Sequence, residues 1–217
     1  FPLHNDICYL NHAAVSPWPK RTQQAVAKFA EENAIYGATH YLEWMKVETS
    51  LRKRLADLIG STSPEDIALS KSTSEALSII AYGLTWSVGD EVIISNQEFP
   101  SNRIVWESLA DKGVKVKVAN IDNTDPVAAI AAEITPNTRL ISISSVQYAS
   151  GLKIDINSLG RLCKSHNILY CIDAIQSLGA LPFNITHNQA DFVVADGHKW
   201  MMGPEGLALL YVKPEVR

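Results

Sequence analysis

The 217-residue chain has few of the features that mark special classes. It has only three cysteines, Cys8, Cys163 and Cys171. An odd count at unrelated spacings makes no disulfide framework and fits a reducing compartment, so a cytoplasmic location is expected. No CxxC or HxxxH spacing occurs, and no metal site is expected. There is no long uninterrupted apolar run, which excludes a membrane-spanning helix. Charged residues make up 19% and the net charge is -4, with no block of one sign. That argues against a nucleic-acid surface or a polybasic membrane contact. The start, FPLHNDICYLNHAAVSP, lacks the basic and apolar regions of a secretory signal and lacks an initiator Met, as in a processed product or part of something longer. The nucleotide-binding patterns GxGxxG and GxxxxGK[ST] are missing, which leaves a Rossmann enzyme without support.

What is there is an ordinary globular composition, 47% apolar, with no internal repeat or linker. Residues 1–20 are rich in turn formers and read as an extended arm. Residues 21–217 read as one large domain. Two helical patterns open it. The first covers 22–35. The second carries Tyr41, Trp44, Met45, Leu51, Leu55 and Leu58 on one apolar face. Short apolar runs then alternate with helical stretches. These are IALS, then 74–84; EVIIS, then 101–112; VKVKVA, then 126–134; RLISISS, then 156–166; then ILYCID and DFVVAD. Alternation of this kind predicts an α/β fold with a mainly parallel sheet sandwiched by helices. The last run, GLALLYV, reads as a candidate antiparallel return strand.

Open α/β sheets bind ligands beyond the carboxyl ends of their strands. Residues just past the predicted strands are therefore site candidates. Ser72 and Glu75 form a capping box, and Thr73 and Ser74 add hydroxyls at that helix start, a phosphate-binding arrangement. Capping without a ligand explains the same residues. Phe99 suits stacking on a flat heteroaromatic ring, or a place in the core. Gln147 suits an amide contact to a ring substituent, or an unpartnered turn position. Asp173 ends an apolar strand, where a carboxylate can hold a pyridine nitrogen protonated, with Gln176 close to the ring's phenolic oxygen. A turn-capping Asp is the alternative. Lys199 lies between His198 and the bulky Trp200-Met201-Met202. Desolvation there favours a free amine suited to covalent bonding with a carbonyl, whereas most lysines are simply solvated.

The segments YLNHAAVSP, STSEA, EFPSN, SSVQ, IDAIQS, GHKW and GPEGLALLYV occur in one order across nearly the whole chain. In order and spacing they resemble the class V aminotransferase family of fold-type I pyridoxal-phosphate (PLP) enzymes. That family includes cysteine desulfurases, selenocysteine lyases, kynureninases and isopenicillin N epimerase. The resemblance implies PLP as cofactor, an α-amino acid as substrate and a homodimer as the assembly. It implies Lys199 as the Schiff-base lysine and Asp173 as partner of the pyridine nitrogen. Gln176 would contact the phenolic oxygen, Phe99 would stack on the ring, and Gln147 would lie close to it. Thr73, Ser74 and His198 would hold the phosphate. Desulfurases of the family stack a His where this chain has Phe99, and EFPSN is nearer to kynureninases and epimerases. They carry Ser or Thr where this chain has Asp196, a residue that would repel phosphate unless it turns away. Family members continue into a smaller C-terminal domain, which brings an Arg for the substrate carboxylate and, in desulfurases, a nucleophilic Cys. This chain stops at Arg217, and none of its cysteines matches that Cys. A scaffold that keeps the fold without the chemistry is the rival reading, which Lys199 and Asp173 oppose.

Overall fold

The computed structural model describes all residues 1–217. Seven strands form one sheet in the order β1-β7-β6-β5-β4-β2-β3. They are β1 (Ile67–Ser70), β2 (Glu91–Ser95), β3 (Lys115–Ala119), β4 (Thr138–Ser144), β5 (Leu169–Asp173), β6 (Phe192–Asp196) and β7 (Ala208–Val212). Strands β3, β2, β4, β5 and β6 run parallel. Strand β7 returns antiparallel between β6 and β1, as expected for GLALLYV.

Side chains alternate across each strand, so the sheet sorts its apolar residues into two cores. On one face Ile93, Ile141, Ile172 and Val193 pack under α2 (Tyr41–Ile59), α5 (Pro126–Ala132) and α6 (Ile156–Ser165). On the other, Val92, Ile94, Cys171 and Val194 pack under α3 (Thr73–Gly83) and α4 (Ser101–Glu107). Central strands covered on both sides must be apolar throughout, and β6 is buried at all five positions.

Local chemistry sets the helix starts. Asp125 and Asp155 accept the first free N–H groups of α5 and α6, and Pro126 pre-sets the backbone of α5. Ser72 caps α3 by accepting from Glu75 N. The reciprocal half of the predicted capping box is displaced by one residue, since the Glu75 carboxylate accepts from Lys71 N at 2.6 Å.

Several predicted boundaries move. The stretch 101–112 splits into α4 and a 3-10 turn over Ala110–Lys112. The short helix α7 (Ile185–Asn188), capped by Asn184, carries too few residues for a periodic signal. Helix α1 (Lys20–Tyr36) buries no residue. Only the second half of α2 reaches the core, with Leu55, Ala56 and Ile59 buried and Leu51 packed against the cluster they join. The first half of its predicted apolar face lies outside: Tyr41 and Met45 are exposed, and Trp44 packs edge-on against Phe29 of α1.

Successive crossovers reverse direction between β2 and β4. The chain steps outward from β2 to β3, returns to β4, then proceeds through β5 and β6. The crevice beyond the carboxyl ends of β2 and β4 is thus the switch point where such sheets bind ligands.

Candidate active site

A cleft of about 470 Å³ opens at that rim. Lys199, Asp173, Phe99, Thr73, Ser74, Gln176 and His198 all line it. They arrive from several elements. Thr73 and Ser74 open α3, Phe99 follows β2, Asp173 ends β5, and His198 and Lys199 follow β6.

Asp173 forms the floor and is 1% exposed. Its Oδ1 accepts from Ile175 N at 3.0 Å. Burial is the main cause that pushes its carboxyl up to about 7, and the neighbouring Glu98 and Asp196 push the same way. Lys199 is 9% exposed. Burial holds its amine below the usual lysine range, against the opposite pull of Asp173 and Asp196. Its Nζ stands 5.7 Å from the Phe99 ring centroid. Phe99 itself is 44% exposed and faces the cleft, which rules out the core alternative. Tyr148 packs against it edge-on, with centroids 5.1 Å apart.

Thr73 is buried at the start of α3, and its Oγ1 has no partner within the chain. A buried hydroxyl without a partner is costly, and at a helix N-terminus it invites an anion.

Two candidate amides are engaged within the chain, and only one of them reaches the cleft. Gln147 is buried and does not line the cleft. Its Nε2 donates to Glu98 Oε1 at 3.0 Å and to Ser95 Oγ at 3.3 Å. The cause is Glu98, a buried carboxylate with no cation beside it. Glu98 satisfies itself by accepting from Ser95, Asn102, Ser144 and Gln147. Gln176 does line the cleft, but its amide is largely engaged. Its Oε1 accepts from the Trp200 indole at 3.0 Å and its Nε2 donates to Ala13 O at 2.9 Å. An indole N–H only donates and a carbonyl only accepts, so these partners fix the amide's orientation and leave one N–H for the cleft.

Residues outside the sequence-based candidate set also line the cleft, among them Asp196, Tyr148 and the arm residues Asn11, Ala13 and Ala14. The arm is pinned beside Lys199. Ser16 N donates to His198 O at 2.8 Å, and the His12 ring stacks on Trp200 at 5.5 Å. The resemblance of YLNHAAVSP is the only sequence signal for this, since an extended arm has no periodicity. Asp196 lies 6% exposed, with Oδ1 at 2.9 Å from His198 Nδ1.

The chain is similar to known proteins. The chain is 34% identical to a probable cysteine desulfurase of Methanothermobacter thermautotrophicus, over 100% of this chain and 55% of that protein. It therefore spans about half the length of that relative. The apo structure of a cysteine desulfurase from Thermococcus onnurineus NA1 superposes with a TM-score of 0.84 at 29% identity, covering 97% of this chain and 55% of that one. A mutant of C-DES with glycine covalently linked to its PLP cofactor superposes with a TM-score of 0.90 at 22% identity, a likeness of fold. It covers 95% of this chain and 57% of that one. The profile of the family described as Aminotransferase class-V matches residues 8–217, and the chain belongs to that family.

Proposed function

We propose that this chain is the cofactor-binding part of a PLP-dependent, cysteine desulfurase-like enzyme that acts on an α-amino acid. The observation that carries the reading is Lys199. It is a buried amine held below its usual pKa, between a half-exposed aromatic face and a buried carboxylate. The residues present fit the cofactor. The unpartnered Thr73 hydroxyl, Ser74 and the first N–H groups of α3 suit a phosphate. Asp173 suits a protonated pyridine nitrogen, and the free N–H of Gln176 suits the phenolic oxygen.

PLP supplies a reactive carbonyl and an electron-withdrawing ring that stabilises a carbanion. This chain's residues would supply the setting. Lys199 would hold the carbonyl carbon, and its free amine would move a proton to and from the substrate carbon. Asp173 would keep the ring nitrogen protonated. Phe99 would fix the ring plane, and the pinned arm would restrict water at the open side.

The domain division proposed is an arm over residues 1–20 and a PLP-binding domain over 21–217. A homodimer is proposed because apolar Phe29, Tyr41, Leu42 and Met45 stand exposed together on α1 and α2. A cytoplasmic location is proposed from the three free thiols. No helix is long and apolar enough to cross a membrane.

The test is intact mass after incubation with PLP and borohydride reduction, with Lys199→Ala alongside. A pyridoxyl adduct on the wild type alone supports the reading. No adduct on the folded full-length protein refutes it. Sulfide release from cysteine then separates the desulfurase-like activity from carbon–carbon cleavage or epimerisation.

A further inference from the structure

Asp196 ends β6 inside the cleft, in the company of Thr73, Ser74 and His198. A lone carboxylate there would oppose the anion that the start of α3 attracts. Its geometry points to a partner instead. Asp196 Oδ1 and His198 Nδ1 are 2.9 Å apart, and both are buried atoms with no other partner within the chain. The two are close but not aligned as a hydrogen bond, so a small rotation of the imidazole completes the contact.

The chemistry follows from the ring's two nitrogens. Nδ1 meets a carboxylate favourably only when it carries a proton. A phosphate demands a proton on Nε2. Between two such groups the ring is protonated on both nitrogens, and it donates to both with its orientation fixed. The charged groups facing His198 are Asp196 on its own segment and the adjoining Lys199, with Asp173 of β5 across the cleft; the start of α3 presents the hydroxyls Thr73 and Ser74. Gly197 between the pair makes the approach feasible, since its backbone is tied on both sides, N to Leu207 O and O to Gly203 N.

We propose that Asp196 is a positioning residue: it holds His198 doubly protonated, with Nδ1–H on its own carboxylate, so that Nε2–H donates to the phosphate of the cofactor. This rests on the PLP reading above. It turns an apparently repulsive acid into the support of a phosphate contact.

The experiment compares equilibrium binding of PLP and of pyridoxal, which lacks the phosphate, to the full-length protein. The set is the wild type, Asp196→Asn, His198→Gln and the double variant. The expected result is that each single change weakens PLP binding about tenfold, the double variant is no weaker than His198→Gln, and pyridoxal binding is unchanged. Tighter or unchanged PLP binding by Asp196→Asn overturns the proposal, because the carboxylate then only repels. Equal losses for PLP and pyridoxal overturn it as well, since the role is then structural. Additive losses exclude action through His198. A wild type that binds no PLP sinks the cofactor reading itself, whereas a binding wild type with an indifferent Asp196→Asn sinks only the positioning role. Nitrogen NMR of His198 in the PLP-bound wild type needs no variant: two protonated ring nitrogens are expected, and a neutral ring refutes the proposal.

Discussion

Replacing Asp173 with asparagine removes a charge from the floor of the cleft and keeps the acceptor that Ile175 N–H uses. In the folded cofactor-free protein the carboxyl titrates at about 7, against a reference of 3.8 when unfolded. Between those values the folded state binds more protons than the unfolded state. Stability therefore falls as pH rises, and the fall ends above the folded value. The cost of the charge is absent below the reference and grows by about 1.4 kcal/mol per pH unit. It levels off near ~4 kcal/mol, an order-of-magnitude figure for a fully buried group. An asparagine side chain has no charge to bury and carries no such cost. The Asp173→Asn variant should gain on the wild type by roughly 2.5 kcal/mol between about pH 5 and about pH 8, other carboxylates cancelling in the difference. Urea unfolding of both cofactor-free proteins at the two pH values measures this. Added PLP should then stabilise the wild type far more than the variant at the higher pH, since the pyridine nitrogen gives Asp173 a cationic partner. A gap that stays constant with pH, or that narrows, refutes the argument and means the carboxylate is already ionised without the cofactor.

Other substitutions probe the support of the site. Glu98→Ala strands Ser144 N, Asn102 and Gln147 in a buried setting and should cost at least ~3 kcal/mol by chemical unfolding; a loss under about 1 kcal/mol shows that the network is dispensable. Ser72→Ala removes the cap of α3 and should cost about 1 kcal/mol, with a matching loss of PLP affinity because the same turn faces the phosphate. Gly179 has φ +98, and a methyl group there would lie 2.6 Å from Trp200 O. Gly179→Ala should therefore displace the segment that carries Lys199 and slow formation of the pyridoxyl adduct, as read by mass spectrometry. An unchanged rate shows that the segment tolerates the shift.

The sheet was legible because buried parallel strands must be apolar end to end, and runs such as ILYCID and DFVVAD leave no other assignment. The rim was legible for the same reason: where such a run stops at Asp173 or Asp196, the chain reaches the one end of the sheet that faces a ligand. Periodicity misled at α2. Its apolar stripe from Tyr41 to Leu58 is continuous in sequence, but only its last turns lie over the sheet. A stripe records that something covers it and is silent on whether that cover is the chain's own core. The amides were legible only in part. Position along the chain suggests a ring contact for Gln147 and Gln176, whereas a buried amide is oriented by whichever donors and acceptors crowd around it. For Gln147 that neighbour is Glu98, 49 residues away in a different strand-end turn. For Gln176 it is the backbone of the arm and the indole of Trp200. Backbone direction can be read from apolar pattern, but the aim of a polar side chain is settled by partners brought together only by folding. Asp196 shows the same limit: charge alone makes it a residue that repels phosphate, and only the fold brings His198 Nδ1 to 2.9 Å from it.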